Sequence, residues 1–487
     1  MEAYEGVLRT LAVAVALFGL YGCVNDGTTR AGGDDGSVCR IIPPESVGNA
    51  ATAGLVAAAA DTPVTPKTTK RPPEFVPGEV VVKFKNAGAT LAPRSLELGA
   101  LGTTSLSDTG RRTSGGEKIL RLNSVGARAA DTGALKDGTL EAVEQLKQRP
   151  DVEYAHPNYI FRMFANSPDD VCYTQHKQWS LLNNGAGPDE SPGGINMPKA
   201  WLRGHGSQQI TVSVVDTGIV AQHADLNKSN LINGYSFVSP NRGSNPTDSG
   251  DGTHYHGTHV ASVIGAVSSN NGKGMAGINW AVHVQPVRVL GAGGNGSFTD
   301  IADGLRWAAG LPVPGAPNNA NPAKVINMSL GGAINCSEVQ GMQVAIDDVT
   351  AKGALVIVAA GNDADDAGGY TPAGCRNVLA VSASGPTGAL APYSNFGSAV
   401  GILAPGGDTS LPDGGVLGAV DQNAFSFYQG TSMATPHVAG VAALVLSRFP
   451  QLSPTQLAER IKSNAIPRSP MQCLQPCGSG LLNADIP

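Results

Sequence analysis

The chain has 487 residues, 15% of them charged, with a formal net charge of −6 and 63 glycines. Charge is well below the roughly 25% of an ordinary globular protein, and glycine is far above its usual ~7% share. With no run of Lys or Arg, this balance argues against nucleic-acid binding. The glycines point to a turn-rich protein in which backbone comes close to something, and seven cysteines are too few for a disulfide-dense scaffold.

Residues 1–23 read as a signal peptide. The apolar run 11–20 follows Arg9; it is too short to span a bilayer and suits a secretory signal core. Glu2 and Glu5 interrupt the basic leader, which makes Val7 a candidate start. "LYGC" also resembles a lipoprotein cleavage site ending at Cys23, so a membrane-anchored form stays open beside a secreted one. Residues 24–75, rich in Gly, Ala, Thr and Pro, have linker composition. Residues 76–164 form a small α+β module. "PGEVVVKF", "EKILRLN" and "DVEYAHPNYIF" predict strands. "GTLEAVEQLKQRP" predicts a helix with Leu140, Val143 and Leu146 on its apolar face and a proline stop.

From 165 to 487 the pattern changes. The apolar, β-branched runs "ITVSVVDTG", "VHVQPVRVL", "KVINMSLGG", "ALVIVAAGN" and "VLAVSAS" alternate with helical stretches. Continuous apolar strands separated by helices predict an α/β fold, a mostly parallel sheet with helices on both faces. In such sheets ligands bind beyond the carboxyl ends of the strands. Three runs end there in polar residues: Asp216, Asn362, and Ser329 before a glycine pair. His256 opens an apolar helix in "HYHGTHVAS". Ser432 stands at the start of another, "GTSMATPHVAG", which holds Pro436 within its first turns. A proline removes an amide donor and costs about 3 kcal/mol inside a helix, so this helix start is irregular just where it deprives the Ser432 carbonyl of its partner. Singly, an Asp after a strand or a Ser before a helix is an ordinary turn or cap residue. Together, an acid, a histidine, a serine and an amide supply orienter, general base, nucleophile and oxyanion donor.

"SVVDTGI", "HGTHVAS", "VAAGN" and "GTSMATPHVAG", in that order, closely resemble the motifs of subtilisin-like serine proteases. The resemblance covers residues 165–487. One departure is Ser262, where many relatives carry Gly. The resemblance implies that Ser432 attacks the scissile carbonyl, His256 transfers the proton, Asp216 holds the imidazole, and Asn362 with the Ser432 amide binds the oxyanion. It assigns 76–164 as an inhibitory propeptide. Peptide would lie as an added strand between 329–332 (Ser329, Leu330, Gly331) and 291–297 (Gly293, Gly294). Ala359, Ala360 and Gly361 would wall the pocket before the scissile bond, with no acid placed to make that pocket basic-specific. A structural calcium is implied at Asp170, Asp225 and Asn271. Zinc is disfavoured: His254, His256 and His259 lack the Glu of H-E-x-x-H.

Cys336 and Cys375 flank the strand that carries Asn362; if paired, they close a loop worth roughly 4 kcal/mol on the chain-entropy model. Cys473 and Cys477 are spaced for a second, tight bridge. Cys172 is then without a partner in the mature domain, because Cys39 lies in the linker. The expectation is a secreted, monomeric serine endopeptidase made as an autoprocessed preproenzyme, acting on protein or peptide substrates with its own propeptide as inhibitor. An inactive binding protein of the same fold would lack one of the four catalytic residues, and a peptide ligase would differ only in its products.

Overall fold

The computed structural model describes residues 39–43, 75–85, 95–98, 102–123, 132–159, 167–187, 189–227, 229–250, 254–421 and 423–487. Residues 1–38, with the signal peptide and Cys23, lie outside them. The chain divides into two compact units, one within Asp61–Phe164 and the other formed by Ala165–Pro487 with the upstream segment 39–43.

The larger unit is built on seven strands. Their order is Val400–Pro405, Val378–Ser384, Leu355–Ala359, Val325–Met328, Thr211–Asp216, His283–Arg288 and Tyr235–Ser236. Every neighbouring pair is parallel. The five apolar runs of the sequence are five of these strands. The β-branched side chains of Thr211–Asp216 are buried along its whole length, as expected of a strand covered on both faces. Tyr235–Ser236 is too short to carry a period, and Val400–Pro405 has a glycine inside it and ends in proline; neither is announced by the sequence.

Thr211–Asp216 lies between Val325–Met328, a later strand, and His283–Arg288. The chain leaves Thr211–Asp216 towards Tyr235–Ser236 and leaves Val325–Met328 towards Leu355–Ala359, in opposite directions, so the gap between these two strands is the switch point where an open α/β sheet binds ligands. Asp216 and Ser329 emerge there. Thr431–Arg448 packs behind the sheet, against the four strands from Val325–Met328 to Val400–Pro405. It is apolar all round and buried from Thr431 to Leu446 apart from Ser432, the pattern of a core helix. Each buried Val or Leu on it contributes about 1.5–3 kcal/mol. Among the described residues no helix is long and apolar enough to cross a membrane.

Disulfides join Cys336 to Cys375 and Cys473 to Cys477. Cys172 does have a partner, which corrects the sequence reading: it is bonded to Cys39. Segment 39–43 returns to the larger unit instead of remaining in a linker. Ile42 N donates to Phe425 O at 2.9 Å, and Phe425 N donates to Arg40 O at 2.9 Å.

The smaller unit is a five-stranded antiparallel sheet, ordered Ser95–Leu98, Gly102–Arg112, Lys118–Asn123, Phe75–Phe84 and Val152–Tyr159. Helix Thr132–Lys147 packs on it, and Val80, Val82, Leu120, Val143 and Leu146 form the core. Leu140 departs from the expected face: it is 46% exposed. Thr139 is buried in its stead, its hydroxyl accepting from Gly78 N at 2.7 Å and donating to Leu135 O at 2.6 Å. The true buried face is 139, 142, 143 and 146, one residue round from the purely apolar one.

Candidate active site

Asp216, the last residue of its strand, is fully buried. Its Oδ1 lies 2.8 Å from His256 Nδ1 and also accepts from Thr217 N at 2.8 Å. His256 is the first residue of helix His256–Ala261, entered through His254 and Tyr255 in the left-handed region (φ 51° and 58°). A Cβ on Gly257 would stand 2.3 Å from the Gly218 carbonyl oxygen, so only glycine lets this helix begin against the turn that carries Asp216. Two residues that the sequence reading passed over complete the joint. Thr217 Oγ1 donates to Asp248 Oδ2 at 2.9 Å and accepts from Gly257 N at 2.8 Å. Asp248 also takes the Thr258 hydroxyl at 3.2 Å, and burial raises its pKa. The one available signal was the Thr that follows the Asp in "VVDTG".

The His256 side chain is 24% exposed. Burial by itself lowers its pKa, but the Asp216 charge and hydrogen bond, helped by the Asp248 charge, outweigh it and hold the group above 6.5. His259, one turn on, is different. It is fully buried, with Nε2 3.0 Å from the Val416 carbonyl, and burial together with the neighbouring His256 drives its pKa down to about 3. It stays neutral and structural. Ser262 Oγ donates to His259 O at 2.6 Å and accepts from Ala419 N at 2.9 Å. The hydroxyl that replaces glycine there pins the histidine helix to the hairpin Val416–Ala419 and Phe425–Tyr428.

Ser432 is the second residue of its helix, after Gly430 at φ 151°. Pro436 has no N–H to give, and the Ser432 carbonyl accepts instead from Ser329 Oγ at 2.8 Å. Asn327 Nδ2 steadies that hydroxyl at 3.0 Å. Ser432 Oγ in turn donates to Ser329 O at 3.1 Å. The proline thus frees a carbonyl that ties the helix start to the end of strand Val325–Met328. Asn362 Oδ1 accepts from Thr431 N at 2.8 Å and from Thr431 Oγ1 at 3.0 Å. The Thr431 N–H can only donate, so the oxygen is on that side and the Nδ2 donor is turned the other way. Asn362, His256, Ser432 and Met433 line one pocket. Among the described residues no hydrogen bond joins Ser432 to His256. The hydroxyl rests on Ser329 O, and rotation about χ1 moves it; nucleophile–base bonds commonly tighten only in the substrate complex.

His256 also lines a second pocket, a groove bounded by Ser329, Leu330 and Gly331 on one side and by Gly294, Asn295 and Gly296 on the other, with Phe298 and Met342 within it. Gly293, expected beside it, has φ 71° and does not line the groove. Ala359 and Ala360 are buried. The Ala360 amide bonds Val381 O, its carbonyl accepts from Asn395, and Gly361 N donates to Thr431 Oγ1.

Asp170 and Asp225 lie near enough for the charge of the first to act on the second. Asp170 Oδ2 and Oδ1 accept from Asn270 N and Asn271 N at 2.6 and 3.1 Å. Asp225 Oδ2 accepts from Met275 N at 2.9 Å, while its buried Oδ1 has no partner. Burial pushes their pKa values up to about 6 and about 7, and the Asp170 charge adds to the rise at Asp225. An orphaned carboxylate oxygen beside a second buried carboxylate fits a hard cation. The Asn271 side chain folds back to accept from Lys273 N at 2.9 Å. Among the described residues no three His, Cys, Asp or Glu side chains gather at a metal position, so the remaining ligands would be amide or loop carbonyl oxygens.

An acid, a histidine and a helix-start serine at the carboxyl edge of a parallel sheet define the class of α/β hydrolytic enzymes that use a serine. Residues 207–480 match the subtilase family, and residues 61–158 match the fervidolysin N-terminal prodomain family. The chain is 39% identical to an extracellular protease of Xanthomonas campestris, over 83% of this chain and 71% of that protein. It is 39% identical to an extracellular basic protease of Dichelobacter nodosus, over 78% of this chain and 65% of that one. A solved protease structure from Pseudoalteromonas arctica superposes with a TM-score of 0.59 at 39% identity, over 66% of this chain and 98% of that chain. The chain belongs to the subtilase family of serine proteases and carries an N-terminal prodomain.

Proposed function

We propose that the protein is a secreted serine endopeptidase in which Ser432 is the nucleophile, His256 the general base and acid, and Asp216 the residue that orients the imidazole. Asn362 Nδ2 and the Ser432 amide, at a helix N-terminus with free N–H groups and a favourable dipole, receive the oxyanion. Losing one such donor typically costs on the order of 3 kcal/mol of transition-state stabilisation. The observation that carries the reading is the 2.8 Å bond from His256 to buried Asp216, on an imidazole that shares its pocket with Ser432 and Asn362. Peptide lies in the groove between the 329–332 and 291–297 segments, with Ala359–Gly361 behind the pocket for the residue before the scissile bond.

The prodomain acts as an intramolecular inhibitor that the enzyme removes by cutting between residues 161 and 169. Export agrees with relatives that are named extracellular proteases. A calcium ion held by Asp170, Asp225 and carbonyls of the 268–274 loop would neutralise two buried carboxylates and fix that loop; Asn271 would join through its amide oxygen. The test is a peptide-library digest with wild type and Ser432→Ala. Wild type hydrolyses peptides and matures, whereas the variant does neither and accumulates as precursor. Hydrolysis or normal maturation by the variant overturns the assignment.

A further inference from the structure

Segment 39–43 precedes the prodomain in sequence yet is built into the larger unit. Cys39 is bonded to Cys172, itself fully buried in the short helix Val171–Thr174. Ile41 forms a single parallel bridge with Phe425, so the segment lies along the edge of the hairpin Val416–Ala419 and Phe425–Tyr428. Three hydrogen bonds hold it: Ile42 N to Phe425 O and Phe425 N to Arg40 O, both 2.9 Å, and Ser426 Oγ to Ile42 O at 2.8 Å. Ile42 packs on Val220, Tyr255, Val420 and Ala424. Tyr255 is the residue before His256, and Phe425 is only 3% exposed. Removing the segment would take away the partners of both backbone groups of Phe425 and would open a strand edge.

We infer that this segment stays on the mature enzyme as a short second chain held by the Cys39–Cys172 bond, and that the prodomain is therefore released in two steps. The inference rests on the proposed cut between 161 and 169. Each cut adds one water across one amide, giving a carboxylate and an amine; the disulfide is untouched and no redox reagent is consumed. After the first cut the prodomain is still joined through residues 44–74 to the segment, and through the disulfide to the enzyme. A tethered inhibitor rebinds at an effective concentration up to the mM range, so inhibition outlasts the first cut. Freedom comes when the chain is opened again, between Pro43 and Phe75.

The experiment follows intact mass, with and without reductant, alongside activity during maturation of wild type and Cys39→Ser. In wild type the first cut should add the mass of one water while the pieces stay together until reduction, with activity below a tenth of its final value until the second cut. The active enzyme should then lose a Cys39-containing peptide on reduction. In Cys39→Ser, activity should rise with the first cut. Should that variant fail to fold, the wild-type masses decide alone. Active, cut enzyme that has no Cys39 peptide, and whose Cys172 is alkylated without reduction, overturns the inference and leaves the maturation reading standing. Full activity in an uncut chain refutes the maturation reading and the inference with it.

Discussion

Asp216, Thr217 and Asp248 show how a single strand end sets the chemistry of one imidazole. Asp216 supplies the hydrogen bond, Thr217 ties the strand end to the helix of His256, and Asp248 adds a second negative charge close by. Only neutral imidazole can accept the serine proton. A pKa held above 6.5 keeps the ring protonated to higher pH, so kcat/KM should fall as pH drops through a value above 6.5. The same shift contributes stability that is complete below 6.5 and is lost as pH rises through the folded-state pKa. In the pH profile of kcat/KM, Asp248→Asn should move the acid limb downward, since one of the charges that raise the pKa is gone. A wild-type limb at or below 6.5, or a limb unmoved by Asp248→Asn, contradicts this electrostatic account. Asp216, His256, Ser432 and Asn362 were all legible in the sequence because each sits in a motif at a strand end or helix start. Thr217 and Asp248 were hidden, since their importance lies in a contact across 31 residues that no local pattern records.

At the scale of elements, the helix Thr431–Arg448 and the strand Val325–Met328 are joined by the reciprocal bonds of Ser432 and Ser329. Ser329→Ala removes the donor that serves the Ser432 carbonyl and should cost about 1–3 kcal/mol in denaturant unfolding, the penalty of a buried acceptor left unpaired. Pro436→Ala returns an N–H to the same carbonyl. In the Ser329→Ala background it should recover most of the loss, so the two changes will be non-additive in a double-mutant cycle. Strict additivity would mean that the carbonyl is not what the two residues share. The buried parallel strands were readable because continuous β-branched runs alternating with helical stretches are the pattern of strands covered on both faces. The strands Ser95–Leu98 and Gly102–Arg112 were not: the first is only four residues at the sheet edge, and the second carries Gly, Ser and Thr where apolar β-branched residues would announce a strand. Leu140 misled for a related reason: Thr139 buries its methyl and hydroxyl together by bonding Gly78 and Leu135, which hydrophobic periodicity cannot see.

For the whole molecule, two units that fold around separate cores are linked in sequence, and the Cys39–Cys172 bond binds the segment ahead of the prodomain to the unit behind it. Spacing made Cys336–Cys375 and Cys473–Cys477 readable, whereas Cys39 could not be placed without knowing that Ile41 bridges to a hairpin 384 residues away. If calcium occupies the Asp170–Asp225 site, a chelator should lower the Tm of the mature enzyme, by linkage about 2.7 kcal/mol for an ion supplied at 100 times its Kd. Asp225→Asn should lose that dependence; equal Tm values with calcium and with chelator in wild type would remove calcium from the account. Labelling with an alkyl fluorophosphonate tests whether His256 and Asp216 activate Ser432 as a nucleophile. Mass mapping of mature enzyme should place one phosphonyl group on the peptide containing Ser432, with labelling that tracks loss of activity and disappears in His256→Ala; a label on another serine, or full inactivation with Ser432 unmodified, would contradict it.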